Sequence, residues 1–306
     1  MKQYQVIIIG GGGAGLTAAI YTSRANLSTL LFEKLTPGGQ IAVTDLVENY
    51  PGFPEGVLGP DIAMKMEEQA KRYGTEIAYN EVRTLRRQEN GCFLVETPSE
   101  SYEAQSLILA AGASFRMLGV PGEKELTGKG VSYCATCDGA FFKGKRLIVV
   151  GGGDSALQEG LFLTRFATQV TVVHRRDKLR ASPILQQRAK EHPKIDFIWD
   201  SVLEKIDGQG KVESVLLKNL KTGEAKQFPV DGVFIFIGHD PNSSFLKGFV
   251  KMDEQNYIVS DGSVKTSVPG VFAAGEIRAG ATRQLVAACG EGCEAALAAQ
   301  EYLEHL

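Results

Sequence analysis

The sequence predicts an α/β protein with two parallel sheets, because one strand–turn–helix–strand unit occurs twice in its 306 residues. In the first copy, the apolar run 6–9 leads into the turn 10–15 and a helical pattern over 16–25. In the second copy, the run 147–150 leads into the turn 151–156. Continuous β-branched runs are typical of strands covered on both faces, as in parallel sheets. A chain of this length is also long for one hydrophobic core, so we expect two domains.

The first unit has the features of a Rossmann-like nucleotide-binding motif. Gly10, Gly12 and Gly15 form the pattern G-x-G-x-x-G. Glycines permit a tight turn and let a pyrophosphate approach the backbone at the helix N-terminus. Glu33, which ends the second predicted strand, is placed to accept hydrogen bonds from a ribose. This context favours nucleotide binding over a purely structural glycine turn.

The second unit keeps the turn but replaces the acid. Its turn contains Gly151, Gly153 and Ala156. At the position of Glu33 it has a basic cluster formed by His174, Arg175, Arg176 and Arg180. An acid repels a ribose 2′-phosphate, whereas arginines bind it through charge-assisted hydrogen bonds. The cluster therefore favours NADPH over NADH, against the alternative of a solvated basic helix start.

A Cys-x-x-Cys pair, Cys134 and Cys137, lies between the two glycine turns. Thiols at this spacing can close a small disulfide or supply half of a metal site. The chain has five cysteines at uneven spacing, which do not form a secreted disulfide framework. A redox pair between two dinucleotide sites suggests a two-electron relay, with metal binding as the open alternative.

Composition narrows the classes of partner. The formal net charge of −3 excludes a global binder of nucleic acid. No apolar run approaches the ~20 residues that a bilayer crossing needs, so we expect no membrane partner. The N-terminal apolar run is too short for a signal peptide, and we expect a cytoplasmic protein.

Segments spread over the whole chain match the pattern of one known family. They are 10–15, 37–40, 48–52 (which begins at Glu48), 134–139, 151–156, 174–176 with Arg180, 238–239, and 270–275 with 283–284. Together they resemble the low-molecular-weight, bacterial-type thioredoxin reductases, which are pyridine nucleotide–disulfide oxidoreductases. The resemblance implies an enzyme that reduces thioredoxin or a thioredoxin-like protein.

The resemblance also implies a domain plan with two Rossmann-like, three-layer ββα domains. Residues 1–115 and 243–306 would form an FAD-binding domain. Residues 116–242 would form an inserted NADPH-binding domain that carries the Cys pair. A domain rotation would then alternately bring NADPH and the Cys pair to the flavin. A homodimer is a further expectation.

The implied contact residues follow from the matched segments. For FAD they are Gly10, Gly12, Gly13, Ala14, Gly15, Glu33, Lys34, Gly38, Gly39, Gln40, Thr44, Asn49, Ala111, Gly112, Gly275, Glu276, Arg283, Gln284 and Leu285. For NADPH they are Gly151, Gly153, Asp154, Ser155, Ala156, His174, Arg175, Arg176, Arg180 and Gly238. Two positions depart from the family pattern: Gly13 stands where proline is frequent, and Glu276 where aspartate is usual. We expect the extra methylene of Glu276 to shift a loop or a hydrogen bond at the flavin.

The implied mechanism passes electrons from NADPH to FAD and then to the Cys134–Cys137 disulfide. Cys137 would face the flavin, and Cys134 would attack the disulfide of the partner protein. Asp138 is the acid/base candidate beside the pair, with a turn aspartate as the alternative. Phe141 and Phe142 either form a docking surface for a protein substrate or belong to the core.

Other functions remain as alternatives. A ferredoxin–NADP reductase of this architecture would not need the Cys pair, and a dithiol oxidase would not need the arginine cluster. A metal-binding or redox-sensing scaffold lacks a second Cys/His pair at ligand spacing, so no metal site is expected. Cys289 and Cys293 lie one helical turn apart, and we interpret them as packing residues.

Overall fold

The computed structural model describes residues 1–44, 46–47 and 49–306, so Glu48 of the segment 48–52 lies outside the described residues. The chain divides into two units. The first unit comprises Met1–Ser114 and Asp240–Leu306, and the second comprises Phe115–His239. The second unit is therefore inserted into the sequence of the first.

The N-terminal part of the first unit alternates strands and helices before it ends in a run of strands. Its strands are β1 (Lys2–Ile9), β2 (Thr29–Glu33), β3 (Leu46–Val47), β4 (Val57–Leu58), β5 (Glu76–Tyr79), β6 (Thr84–Arg87), β7 (Phe93–Glu96), β8 (Ser101–Leu109) and β9 (Ala113–Phe115). Its helices are α1 (Gly13–Arg24) and α2 (Gly59–Arg72), and a 3₁₀ turn spans Gly39–Val43.

The second unit repeats this plan. Its strands are β10 (Val131–Ser132), β11 (Arg146–Val150), β12 (Gln169–Val173), β13 (Ile195–Ile198), β14 (Ser201–Asp207), β15 (Ser214–Asn219), β16 (Ala225–Pro229) and β17 (Gly232–Ile235). Its helices are α3 (Ala135–Asp138), α4 (Asp154–Leu163) and α5 (Pro183–Glu191), with a 3₁₀ turn at Gly139–Phe142. The chain then forms β18 (His239–Pro241), a 3₁₀ turn at Ser244–Leu246, β19 (Val271–Ala273) and α6 (Leu285–Glu304).

The sheet of the first unit has a parallel centre. Strands β5, β2, β1, β8 and β19 are parallel neighbours in this order. Strands β7 and β6 extend the sheet from the other half of β8 as antiparallel strands. Adjacent residues of β1 enter separate cores: Ile7 packs with β6 and β7, whereas Ile8 packs with α1 and α6. This alternation is the two-residue period of a strand covered on both faces.

The helices of the first unit pack at very short range. A Cβ atom built on Gly292 of α6 would lie 2.1 Å from the carbonyl oxygen of Ala14 in α1. Since the two backbones touch here, no residue with a side chain fits at Gly292. The small residues of α6 thus bring this helix to the start of α1, next to the first glycine turn.

The sheet of the second unit is parallel throughout, in the order β10-β17-β11-β12-β13. Ile148 of β11 packs toward the antiparallel sheet β14-β15-β16, and Val149 packs toward the helices. Each unit therefore consists of helices, a parallel sheet and antiparallel strands. This confirms the predicted α/β fold with two Rossmann-like units.

The chain leaves the first unit through β9 and returns through β18, and these two strands are hydrogen-bonded to each other. None of the helices in the described part of the chain combines the length and apolar character that a membrane crossing requires.

Candidate functional site

The Cys134–Cys137 pair forms a disulfide in the second unit, with the two Cα atoms 5.3 Å apart. Cys134 is the N-cap of α3, and Cys137 lies within this one-turn helix. The backbone N–H of Cys137 donates to the Cys134 sulfur over 3.2 Å. Both residues are half-buried, so a disulfide that can exchange with a partner is held by a short helix.

Asp138 is anchored beside this disulfide. The Ser132 hydroxyl donates to the Asp138 Oδ2 atom over 2.5 Å, and the Cys134 N–H donates to the Ser132 Oγ atom over 3.1 Å. The Asp138 N–H in turn donates to the Cys134 carbonyl. The aspartate is thus a turn residue whose carboxyl group is oriented next to the pair, and its acid/base role stays a prediction. The contribution of Ser132 was not anticipated, because no pattern links the two residues.

The two phenylalanines after α3 have different environments. Phe142 packs edge-on against Phe234 with the ring centroids 5.2 Å apart, and it belongs to the core. Phe141 is 48% exposed. Phe142 therefore belongs to the core, whereas Phe141 leaves an apolar side chain at the surface, where a protein substrate could contact it.

The segment that leads into Cys134 is braced by Tyr133. The Tyr133 hydroxyl donates to Glu123 over 2.8 Å, and its ring stacks on Phe115 with centroids 4.9 Å apart. Glu123 is 1% exposed and also accepts the N–H groups of Leu118 and Gly119. Burial and the Glu123 carboxylate raise the pKa of Tyr133 far above its ordinary value, so this hydroxyl keeps its proton. The brace fixes the backbone on which the disulfide is built.

The first glycine turn is shaped by close backbone contacts. A Cβ atom on Gly10, which has a φ of +107°, would lie 2.3 Å from the Ala110 carbonyl oxygen. A Cβ atom on Gly15 would lie 1.8 Å from the Gly10 carbonyl oxygen. Beside Gly12, the N-cap of α1, there is open space instead. The turn therefore leaves a free backbone surface at a helix N-terminus, as a pyrophosphate requires.

Glu33 lies at this turn, as the sequence predicted. Its Oε2 atom accepts the Gly11 N–H over 2.9 Å, and its Oε1 atom accepts the Leu35 N–H over 2.9 Å. No sequence signal distinguished Gly11 from the other glycines of this turn. Lys34 instead extends to the surface, where its ammonium lies 3.9 Å from Glu81.

The loop that follows Glu33 lies against the same turn. The Gly38 N–H donates to the Gly11 carbonyl over 2.6 Å, and a Cβ atom on Gly39 would lie 3.4 Å from the Gly12 Cα atom. The Gln40 side chain donates to the Ala113 carbonyl. Thr44, at the end of this loop, donates to the Gln40 carbonyl over 3.0 Å.

Two further predicted segments meet in the first unit. The Asn49 side chain donates to the Gln284 side chain over 2.9 Å, although the two residues are far apart in sequence. Leu285 begins α6, and its side chain lies where a side chain at Gly13 would go, 2.5 Å from the built Cβ atom. A side chain at Gly13, such as the proline that the family often has, would require the end of the Leu285 side chain to move. Arg283 is exposed.

The strand ends on the carboxyl side of the sheet supply the remaining predicted residues. Gly112 has a φ of +66°, and its carbonyl and that of Ala111 both accept hydrogen bonds from Asn242. The Gly275 N–H donates to Glu291 over 2.7 Å. Next to it, the Oε2 atom of Glu276 is buried and has no hydrogen-bond partner among the described residues.

Burial raises the pKa of Glu276, and the nearby Arg283 partly opposes this shift. A buried polar atom without a partner costs stability, which indicates a polar group that the site is built to receive. The open backbone at Gly12, the Glu33 carboxylate and this oxygen together fit a large cofactor with phosphate and hydroxyl groups.

The second glycine turn repeats this geometry in the second unit. Gly151 has a φ of +152°, and a Cβ atom on it would lie 2.5 Å from the Phe236 carbonyl oxygen. Gly153, the N-cap of α4, faces open space. Asp154 accepts the Ser182 N–H over 2.5 Å, Ser155 is exposed and Ala156 is buried. A backbone surface is thus free at the start of α4.

His174 and the arginines that follow it have different environments in the structure. His174 is 5% exposed, and its ring lies directly under the turn, 2.3 Å from a Cβ atom built on Gly152. Burial, with a smaller effect of the arginines, lowers the pKa of His174, which favours its neutral form. The histidine therefore supports the loop, while Arg175, Arg176 and Arg180 are exposed and form no ion pair with other described residues.

Two further contacts, at Arg180 and at Gly238, shape this region. The Arg180 N–H donates to the Gly152 carbonyl over 2.7 Å, which ties the arginine segment to the turn. Gly238 has a φ of +115°, and a Cβ atom there would lie 3.2 Å from the Arg116 guanidinium.

Cys289 and Cys293 pack against tyrosines. The Tyr50 hydroxyl lies 3.8 Å from the Cys289 sulfur, which in turn lies 3.7 Å from the Gly13 carbonyl. Burial and this thiol raise the pKa of Tyr50 to about 12. A side-chain hydrogen bond between Tyr21 and Cys293 likewise raises the pKa of Tyr21. The described residues contain no cluster of His, Cys, Asp or Glu suited to a metal ion.

Comparison with known proteins found a matching family model and several similar proteins. The family model for pyridine nucleotide-disulphide oxidoreductases matches residues 4–292. A thioredoxin reductase of Bacillus subtilis is 53% identical over 306 residues, which is 100% of this chain and 96% of the relative. A thioredoxin reductase structure from Streptococcus pyogenes has a TM-score of 0.95 at 46% identity, covering 99% of both chains. One from Giardia duodenalis has a TM-score of 0.94 at 41% identity, covering 99% of this chain and 100% of the other.

Proposed function

Since this chain belongs to the pyridine nucleotide–disulphide oxidoreductases, as one of their low-molecular-weight thioredoxin reductases, we propose that it uses NADPH to reduce a thioredoxin or thioredoxin-like protein. Membership implies FAD and NAD(P)H binding. The observation that carries the proposal is the half-buried Cys134–Cys137 disulfide, held in the unit that contains the arginine-flanked glycine turn.

The first unit would hold FAD. Backbone N–H groups at the start of α1 bind the pyrophosphate beside Gly12, and Glu33 accepts hydrogen bonds from the ribose. Glu276 supplies its unpartnered carboxyl oxygen to a hydroxyl group of the cofactor. Bound FAD would supply the two-electron chemistry that connects NADPH with the Cys pair.

The second unit would hold NADPH at the turn 151–156. The open backbone at Gly153 receives the pyrophosphate at the N-terminus of α4. Arg175, Arg176 and Arg180 are exposed and bind the 2′-phosphate, which NADH lacks. His174 positions this segment from beneath the turn rather than by direct contact.

The Cys pair would transfer the electrons to the partner. Two electrons and two protons open the Cys134–Cys137 bond to two thiols. The Cys134 thiolate then attacks the partner disulfide and displaces one partner sulfur, which Asp138 helps to protonate. Attack of the Cys137 thiolate on the mixed disulfide restores the Cys134–Cys137 bond and releases the partner as a dithiol.

NADPH-dependent turnover against a panel of thioredoxin-like proteins tests this function. The wild-type protein should reduce at least one of them, with NADPH consumed in equal amount. Cys134→Ser and Cys137→Ser should each abolish this reduction, while NADPH still bleaches the flavin. Cys92→Ser, a free cysteine outside the site, is the matched control and should retain turnover. Normal turnover by either Cys-pair variant contradicts the proposed route.

A homodimer in a reducing compartment, the cytoplasm, completes the proposal. A thiol relay driven by NADPH needs an environment that keeps its cysteines reducible, which supports this location. Light scattering of the purified protein tests the assembly, and a monomeric mass would contradict it.

A further inference from the structure

Glu159 is an acid in the apolar stripe of α4. Ala156, three residues before it, Leu163, four residues after it, and the adjacent Gly160 are all buried. The Oε2 atom of Glu159 is also buried and has no hydrogen-bond partner among the described residues. Since a buried carboxyl oxygen without a partner costs stability, packing alone does not explain this residue.

The face of α4 that carries Glu159 packs against the start of α3. Ala135, the first residue of α3, is fully buried in the same core cluster as Ala156 and Leu157 of α4. The backbone of Ala135 is also close enough to this carboxyl to lower its pKa through a hydrogen bond. Because Cys134 directly precedes Ala135, Glu159 links the disulfide to the helix that begins at the second glycine turn.

The charges around Glu159 are few. Burial raises the pKa of this carboxyl, and the Ala135 N–H partly offsets the shift. No charged side chain of α3, α5 or the neighbouring strands contributes to this pKa in the described part of the chain. The other carboxyl on α3, Asp138, is hydrogen-bonded to Ser132.

We propose that Glu159 is a positioning residue for disulfide reduction, which holds the first turn of α3 and controls how readily the reduced Cys pair forms a thiolate. The inference rests on the proposed function, because it concerns the same pair. Reduction of the disulfide consumes two electrons and two protons, and the loss of one thiol proton creates the attacking thiolate. An ionised carboxyl nearby disfavours this second negative charge, whereas a protonated one does not.

Glu159→Gln tests the role of the charge, because the amide keeps an acceptor oxygen for the Ala135 N–H. The reduced holoenzyme is alkylated with iodoacetamide over a range of pH, and the modification of Cys134 and Cys137 is followed by peptide mass spectrometry. The midpoint of the pH profile should fall by about one pH unit in this variant. The two profiles should converge at acid pH, where Glu159 is protonated in the wild-type protein. Glu191→Gln, which removes an exposed carboxyl at the end of α5, should leave the midpoint unchanged.

Glu159→Asp provides a second variant, since it withdraws the charge by one methylene. Its midpoint should move in the same direction as that of Glu159→Gln, but by less. An unchanged midpoint in both variants overturns the inference, and so does an equal shift in Glu191→Gln. Alkylation requires no thioredoxin, so a shifted midpoint in an enzyme that reduces no thioredoxin would reject the proposed function and retain the role of Glu159.

Discussion

The Ser132 hydroxyl donates to the Asp138 carboxylate over 2.5 Å, across the first turn of the helix that carries the redox disulfide. Ser132 is 4% exposed, and its oxygen also accepts the Cys134 N–H. One buried hydroxyl therefore orients both the Asp138 carboxyl group and the backbone of Cys134.

Ser132→Ala should lower the rate of disulfide reduction. Hydrogen bonds to charged groups contribute about 1.5–3 kcal/mol, and a loss of this size in the transition state corresponds to a roughly tenfold or larger fall in kcat. The KM for NADPH should stay unchanged. Ser132→Thr keeps the hydroxyl and should restore part of the rate, so an equal loss in both variants would argue against this hydrogen bond.

Arg175→Ala combined with Arg180→Ala should raise the KM for NADPH by about tenfold or more, because charge-assisted hydrogen bonds to the 2′-phosphate are lost. The KM for NADH should change little, since NADH lacks this phosphate. Steady-state kinetics with both nucleotides provides the measurement. Arg188→Ala, an exposed arginine of α5, is the matched control. An equal effect on both nucleotides would reject recognition of the 2′-phosphate.

Gly15→Ala should lower stability strongly, whereas Gly12→Ala should leave stability almost unchanged and reduce cofactor retention. A methyl group at Gly15 would lie 1.8 Å from the Gly10 carbonyl oxygen, so we expect a loss of about 3 kcal/mol or more in the free energy of unfolding. A methyl group at Gly12 meets no atom within 4 Å and should change stability by less than about 0.5 kcal/mol.

The Gly12 methyl group nevertheless enters the space assigned to the pyrophosphate. Folded Gly12→Ala should therefore be purified with less flavin per chain than the wild-type protein. Urea unfolding and the ratio of flavin to protein absorbance provide the two measurements. Full flavin content in Gly12→Ala would show that the cofactor lies elsewhere.

Glu276→Gln should change the pH dependence of stability in protein from which the flavin has been removed. Burial raises the folded-state pKa of Glu276 above its ordinary value of 4.5, so the folded state binds the proton more tightly than the unfolded state. This contribution is fully present at pH values below 4.5 and is lost as the pH rises through the raised folded-state pKa.

Glutamine does not ionise, so the variant should gain stability relative to the wild-type protein as the pH rises from about 4 to 8. Urea unfolding at several pH values provides the measurement. Glu301→Gln, an exposed acid of α6, serves as control and should show no such trend. A constant difference between Glu276→Gln and wild type would contradict a buried, proton-binding carboxyl.

Much of the site was predictable because its signals are local. The glycine spacing, the acid at Glu33 and the Cys-x-x-Cys pair are each read from a few consecutive residues. Gly10 and Gly151 have the positive φ that such turns require, and Glu33 lies at the first turn. The duplicated unit likewise predicted the α/β fold, because strand and helix periodicities are properties of short segments.

Other assignments depended on which way a side chain points. His174 follows β12 as the sequence indicated, but its ring packs beneath Gly152 instead of facing outward with the arginines. Phe141 and Phe142 are adjacent, yet one is exposed and the other packs on Phe234. Neighbouring residues share a sequence pattern but not an environment.

The sequence by itself determined the two glycine turns, the acid and basic ends of their second strands, and the redox pair, since these depend on local backbone sterics and charge. The tertiary structure alone decided that Asn49 meets Gln284, that Ser132 orients Asp138, and that the face of α4 carrying Glu159 packs on α3. Such contacts join segments whose approach is set by strand register and helix packing. Strand register and helix packing depend on the whole core, so no local sequence pattern encodes these contacts.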